Sequence, residues 1–407
     1  MKIAIINQPL SNRGDESAHK AFVYRMANAL PNDSIDIILC EDKQSLVDAV
    51  KVNCKNVNYI RIPKGRLYHR IQKYVFLTNT FSFSYIYPAF NIFHKLLKAY
   101  DKVVCAPGGI CLGGFMSWNH LWQLTLAKRL NKPIYYWGRS IGPFTEENRA
   151  RKIFKKHSYE MLNYFSYISL RDSKSIETAK ELGLKCDQIV DSAFLTDIKL
   201  EIPDNIKKII GQNEFITFVP NELTWHYRYR NVDKSKIDNF YLRILDFISE
   251  EYPQYKIVML PQTYQSIIND CDYFEFLKKK SGNQNIIVVD ENQSSDIQQA
   301  LIKKSKLVIG ARYHSIVFAL NNETPFIALS YEHKIKGLLD TLKYTNRMVE
   351  IQDIFDEGKN EDYINSLSTI KGLLIEKDFI VHNNEAKEIV NKGFENFIKC
   401  ITDNNKE

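Results

Sequence analysis

Val308-Ile309-Gly310-Ala311-Arg312-Tyr313-His314-Ser315 reads as a short apolar strand that stops at a glycine and hands over at once to a helix. The helix, near Tyr313–Leu320, is followed by a second apolar run at Phe326–Leu329 and a further helix at Lys334–Leu342. Strand and helix alternating at this spacing predict βαβ units and a parallel sheet. Upstream, strands at Phe215–Val219, Lys256–Leu260, Ile286–Val289 and Leu307–Ile309 are separated by helices near Lys236–Glu250, Asp270–Lys280 and Ser294–Lys304. A polar, proline-containing stretch at Asp197–Gln212 interrupts the pattern and is the best linker candidate. Before it, strands fall at Lys2–Asn7, Ser34–Leu39, Asn58–Ile62, Lys102–Ala106, Pro133–Gly138 and Tyr167–Leu170. Their helices lie near Glu16–Leu30, Ser117–Leu130, Asn148–Leu162 and Ser173–Leu182, the last closed by Gly183. The reading is α/β: a first Rossmann-like domain over 1–197, a second over 213–382, and a helix with a tail over 383–407. Two such sheets leave a cleft, and ligands are expected beyond the carboxyl ends of the strands.

Composition fits this size and class. A chain of 407 residues is too long for one ordinary domain, and 44% hydrophobic with 25% charged residues is enough to build cores. That excludes a disordered or collagen-like chain. The 7 cysteines show no C-x-x-C spacing, so neither a disulfide framework nor a zinc ribbon is indicated, and no metal is expected. The opening Met1-Lys2-Ile3-Ala4 reads as a strand rather than a signal peptide, and a cytoplasmic location is the expectation.

The net charge of +7 is mild but unevenly spread. Arg61 to Tyr100 contains no Asp or Glu, while Arg61, Lys64, Arg66, Arg70, Lys73, Lys95 and Lys98 are interleaved with aromatics. A transmembrane helix does not fit, because Thr78, Asn79, Thr80, Ser82, Ser84 and Pro88 interrupt the about 20 apolar residues a span needs. The stretch is either a loop and helix packed on the body or a surface for an anionic, glycan or lipid-attached acceptor at the inner face of a membrane. No nucleic-acid partner is expected.

Several strand ends carry chemistry. Arg312 offers a planar fork for anionic oxygens at a helix start, where the backbone and dipole also favour an anion. His314 exchanges protons near neutral pH; the plain alternative is a satisfied core histidine. Tyr313 and Ser315 flank them, and Lys334 follows the next strand, where a solvated lysine is the plain reading. In the first half, Pro107-Gly108-Gly109 forms a glycine-rich loop that matches neither nucleotide fingerprint. Ser140 follows one strand and Arg171-Asp172 another; there an ion pair or a helix cap is the competing reading. Asn12-Arg13-Gly14-Asp15-Glu16 ends the first βα loop, where Asp15 either caps the helix, binds a sugar hydroxyl or acts as base. Asp191, Asn221 and Gln262 complete the set at other strand ends.

In this order, over roughly residues 1–345, the motifs resemble those of the polysaccharide pyruvyl transferase family. The matching stretches are Asn12–Glu16, Pro107–Gly109, Ser140–Pro143, Ser169–Ser175, Val190–Phe194, Gly310–His314 and Tyr331–Lys334. Departures are confined to loops, as where Glu332-His333 stands for a frequent Asp-Pro. The resemblance implies two facing α/β domains of the GT-B-like kind. It also implies transfer of pyruvate from phosphoenolpyruvate, a co-substrate, to a sugar of an exopolysaccharide, capsule or cell-wall glycan or its lipid-linked precursor. A pyruvate ketal would result, with no nucleotide or redox cofactor. On it, Arg171, Arg312, Tyr313, Ser315 and Lys334 hold the donor, His314 is the general acid and Asp15 a candidate base. Asn12, Gly108, Gly109, Ser140 and Asn221 line the acceptor or its loops. The rival is a GT-B glycosyltransferase using a nucleotide sugar, with Glu332 on the ribose.

Overall fold

The computed structural model describes residues 1–10, 12–196, 201–211, 213–226, 228–264, 269–290, 293–376 and 379–403. The chain divides into two compact α/β units. The first is Met1–Leu10, Asp15–Thr196 and Ala386–Glu407; the second is Ser11–Gly14 with Asp197–Glu385.

The first unit is built on β1 (Lys2–Ile6), β2 (Ser34–Cys40), β3 (Val57–Ile62), β4 (Lys102–Cys105), β5 (Gly108–Leu112), β6 (Ile134–Ile141), β7 (Tyr167–Leu170) and β8 (Asp187–Gln188). All pair in parallel, in the order β3-β2-β1-β4-β6-β7-β8, with β5 alongside β6. Helices covering both faces explain why the central strands are continuous apolar runs rather than alternating ones: every residue of β6 is buried. Two readings change here. The glycine-rich stretch taken as a loop is in part a strand, β5, and β6 runs on through Arg139, Ser140 and Ile141 beyond its expected end at Gly138. Glycine signals a loop because it is costly in a strand, but Arg139 donates to the Ala106 and Gly109 carbonyls and pins this backbone. The C-terminal helix Asn384–Thr402 packs into this unit, with the Phe397 ring 5.2 Å from Trp137 and Trp137 stacked 5.2 Å from Phe22.

The acid-free stretch forms a helical cap: a helix at Tyr68–Leu77, a 3-10 turn at Phe81–Ile86 and a helix at Pro88–Leu97 opened by its proline. Its inward faces converge on Trp122, whose ring lies 5.6 Å from Phe81, 4.4 Å from Phe90 and 5.8 Å from Phe93. About half of its aromatic content is therefore core. Among the described residues, no helix is long and apolar enough to cross a membrane.

The second unit carries β9 (Phe215–Val219), β10 (Lys256–Met259), β11 (Ile286–Val288), β12 (Val308–Gly310), β13 (Phe326–Ser330) and β14 (Met348–Glu350), all parallel in the order β11-β10-β9-β12-β13-β14. β9 sits between β10 and β12, so the segments leaving these three strands emerge side by side. The stretch read as a linker contains a short helix, Asp204–Ile210, started after Pro203. A helix at Asn360–Ile375 and strand β14 lie where the sequence reading placed nothing.

Candidate active site

The second unit gathers about half of the expected site residues at the carboxyl ends of β9, β10, β12 and β13. Gly310 is the last residue of β12, and the position requires glycine because a Cβ there would come within 2.0 Å of the Ser315 hydroxyl. That hydroxyl in turn donates to the Arg312 carbonyl at 2.6 Å, tying the turn that starts the helix Tyr313–Asn321. Ser315 thus shapes the turn. Arg312 stands at the cap position, with His314 in the first helical turn, and both are buried.

Arg312 is oriented by Asp270, which sequence reasoning passed over as a site residue. Its Nη2 donates to Asp270 Oδ1, while Asp270 Oδ2 accepts from the backbone N–H groups of Gln262 and Thr263 at 3.0 Å each. Burial alone would lower the guanidinium's pKa; the Asp270 carboxylate outweighs it and keeps the group above its ordinary value. An acid in the first turn of a helix complements the dipole wherever it occurs, so nothing in the sequence marks Asp270 as special. The Arg312 guanidinium also lies 5.8 Å from the Trp225 ring centre, and the Trp225 indole donates to Asn221 Oδ1 at 3.0 Å.

Three buried donors remain. Asn221 Nδ2, Gln262 Nε2 and Arg312 Nε have no hydrogen-bond partner among the described residues, although the three residues are at most 8% exposed. The indole, a donor only, fixes the Asn221 amide so that its NH2 is the open end. A buried unmade donor is costly, and three following adjacent strands form a place that wants acceptor oxygens.

Next door, Lys334 is not a solvated lysine: its Nζ lies 3.1 Å from Glu332 Oε1, and both are largely buried. The Tyr331 hydroxyl donates to the same carboxylate at 3.1 Å. Burial would raise the Glu332 pKa, but Lys334 overcomes this and holds it below the usual range. Tyr313 meets the His314 ring edge to face at 5.0 Å.

The short segment from the first βα loop belongs to this unit. Asn12 forms an isolated antiparallel bridge with Thr263 and accepts from the Gly14 N–H at 2.7 Å. Arg13 N–H donates to the Gln262 carbonyl at 2.9 Å, and its guanidinium lies 3.8 Å from the centre of the Tyr264 ring. Gly14 lies directly against His314: a Cβ there would sit 1.8 Å from the imidazole. The glycine of the loop is thus explained by the histidine.

The remaining expected residues lie in the first unit. Arg171 forms a buried ion pair with Asp191, not with Asp172, which caps its helix through the Ser175 N–H at 2.9 Å. Arg139, fully buried and not singled out from the sequence, spends its donors on Ala106, Gly109, Cys111 and Asn7. Burial would lower its pKa, but Cys111, Cys105, Tyr136 and Asp15 raise it, which places the half-buried Asp15 within electrostatic reach. Ser140 is buried, and its hydroxyl has no hydrogen-bond partner among the described residues. A Cβ at Gly108 would come within 3.0 Å of Pro9 and 3.3 Å of the Arg139 guanidinium, whereas the space over Gly109 is open. Among the described residues, no cluster of His, Cys, Asp or Glu could hold a metal ion.

This arrangement of strand-end residues coincides with a family match: residues 12–333 fit the polysaccharide pyruvyl transferases. The chain belongs to that family. Within the polysaccharide pyruvyl transferases it is thus a transferase of glycan biosynthesis. It is similar to the amylovoran biosynthesis protein AmsJ of Erwinia amylovora, 24% identical over 389 residues, covering 88% of this chain and 89% of that one. Among solved structures it resembles the UDP-GlcNAc 2-epimerase of Methanocaldococcus jannaschii, with a TM-score of 0.56 at 16% identity over 97% of this chain and 100% of that one. It also resembles Arabidopsis thaliana UGT89C1 complexed with UDP, with a TM-score of 0.54 at 10% identity over 98% of both chains. At such identities the likeness establishes the fold: the two-unit, Rossmann-like GT-B class expected from the sequence.

Proposed function

We propose that this family member transfers the pyruvyl group of phosphoenolpyruvate to a sugar of an exopolysaccharide, capsule or cell-wall glycan, or of its lipid-linked precursor, as a cyclic ketal. The observation that carries this is the trio of unmade buried donors, Asn221 Nδ2, Gln262 Nε2 and Arg312 Nε, beside the start of a helix. Phosphoenolpyruvate brings a phosphate and a carboxylate, the oxygens such a place lacks.

His314 protonates the methylene carbon of the donor, leaving an oxocarbenium-like centre at the carbon bearing phosphate. A sugar hydroxyl attacks that carbon and gives up its proton, for which Asp15 is the candidate base. The carbon–oxygen bond to phosphate then breaks, a second hydroxyl of the same sugar takes its place, and its proton leaves with the phosphate. Arg312, with Lys334 nearby and Tyr313 against the imidazole, stabilises the charge on the departing group. Arg171 is a second cationic candidate. Asn12, Gly108, Gly109 and Ser140 are assigned to the acceptor and its loops, while Asn221, expected with them, is taken as a phosphoenolpyruvate-side group on its open amide NH2, and no cofactor takes part in any step. The nucleotide-sugar alternative gains nothing: the structural neighbours show fold alone, and Glu332, its candidate for a ribose, is held by Lys334.

Ligand-induced thermal stabilisation provides the test, since a ligand binding only the folded state raises Tm. Phosphoenolpyruvate is expected to stabilise the protein and UDP is not; the reverse result would replace this reading with the alternative. Arg312→Ala should weaken phosphoenolpyruvate about 10- to 100-fold, the loss of one or more charge-assisted hydrogen bonds of roughly 1.5–3 kcal/mol. Arg312→Lys should rescue only in part, because charge returns without the fork. Arg171→Ala should weaken binding less, its guanidinium being already engaged by Asp191. Unchanged affinity in Arg312→Ala would remove this residue from the donor site.

A further inference from the structure

The helical cap at residues 61–100 has an outward side that neither the core nor the proposed chemistry uses. Among the described residues, five of the twelve large hydrophobic side chains left exposed lie here: Leu67, Tyr74, Phe83, Ile86 and Ile92. Tyr74 is 63% exposed, Phe83 66% and Ile86 80%. Chance does not explain their spacing. Phe83 and Ile86 are three apart on a 3-10 turn, hence on one side of it, while Phe81 and Ser84 face inward. On the first helix Arg70, Lys73 and Tyr74 share the outer stripe, with Val75 and Phe76 buried behind. On the second, Ile92 and Lys95 are exposed while Phe90 and Phe93 pack on Trp122. All three elements thus bury one side against a common core and turn apolar tips outward.

The segment's own charge has one sign, and the acids near its start, Glu41 and Asp42, lie on the neighbouring loop. Arg61 donates to the Glu41 and Asp42 carbonyls, and Lys64 pairs with Glu41 at 2.8 Å; these two are spent on the neighbouring loop. Arg66, Arg70, Lys73 and Lys95 are exposed and make no ion pair among the described residues. No acid in the segment opposes them.

We propose that this outward side docks the enzyme on an anionic lipid bilayer, with Phe83 and Ile86 entering the interface and Arg66, Arg70 and Lys73 meeting the headgroups. Charge complementarity selects that occupant: basic residues ringing exposed apolar tips match a negatively charged surface over an apolar interior. A second copy of the chain would bring the same positive charge to the contact and be repelled. The contact is peripheral, since neither 10-residue helix of the cap is long enough to cross a bilayer.

The test is co-sedimentation of the full chain with vesicles of phosphatidylcholine alone and of phosphatidylcholine mixed with phosphatidylglycerol. Binding is expected only to the anionic vesicles and should fall steeply with added salt. Arg66→Glu/Arg70→Glu/Lys73→Glu should lower the partition by about 100-fold or more, and Phe83→Ser/Ile86→Ser should lower it by about tenfold or more. Both variants should melt as the parent does, because the altered side chains are exposed. No sedimentation with anionic vesicles would overturn the proposal, as would equal binding to the neutral ones or binding unmoved by the charge reversals. Concentration-dependent dimerisation abolished by Phe83→Ser/Ile86→Ser would also overturn it by assigning the surface to a second copy.

Discussion

Replacing His314 with glutamine or alanine is expected to lower kcat by about 10²- to 10⁴-fold while phosphoenolpyruvate still binds, the range a positioned general acid supplies. The expectation rests on placement. The imidazole is buried in the first turn of the helix that leaves β12, two residues after Arg312, whose Nε is one of the unmade donors. A proton donor matters most when the methylene carbon is being protonated, so its loss should appear in kcat rather than in donor affinity. Glutamine keeps hydrogen-bonding capacity and much of the bulk but cannot deliver a proton at neutral pH, which makes it the stricter of the two variants. Each variant is assayed for ketal formation by mass spectrometry and for donor binding by thermal shift. Near-parental kcat in His314→Gln would show that another group protonates the substrate. Loss of donor binding together with turnover would reassign His314 to ligand binding.

The parallel strands were legible because burial on both faces writes them as uninterrupted apolar runs such as Phe215–Val219 and Phe326–Leu329. Legibility failed where local chemistry points away from the tertiary outcome. Gly108 and Gly109 read as a loop, yet Arg139 holds that backbone beside β6 as a strand. Pro203 and the polar residues around it read as a linker, yet Ile206 and Ile210 bury one side of a short helix there. Arg312 and His314 stand out in sequence because Arg and His are conspicuous at a strand end. Their supports do not, since Asp270 is 42 positions away from Arg312 and looks like an ordinary helix-start acid. The same holds for Arg171: its partner, Asp191, is 20 positions off, while the adjacent Asp172 caps its own helix. Residue type is visible one position at a time; pairing needs the fold.

Gly14→Ala is expected to depress turnover about 100-fold, although Gly14 makes no chemistry of its own. A methyl group at this position would sit 1.8 Å from the His314 imidazole, so one of the two must move. The flexible end of a surface chain could swing away, but this ring is buried and backed by Phe318 at 6.2 Å and Tyr313 at 5.0 Å. The backbone of Gly14 is also held, because its N–H donates to Asn12 Oδ1 and Asn12 bridges to Thr263. Displacing an acid by about 1 Å from its productive position is enough for a 10²-fold loss, and the added bulk costs roughly 1–3 kcal/mol of stability. A double-mutant cycle separates this from general damage. In the His314→Ala background the ring is gone, so Gly14→Ala should change neither the residual turnover nor Tm appreciably. Equal losses in both backgrounds would mean that the glycine serves the loop rather than the histidine. Full activity of Gly14→Ala alone would show that the imidazole works from a position in which Gly14 does not constrain it.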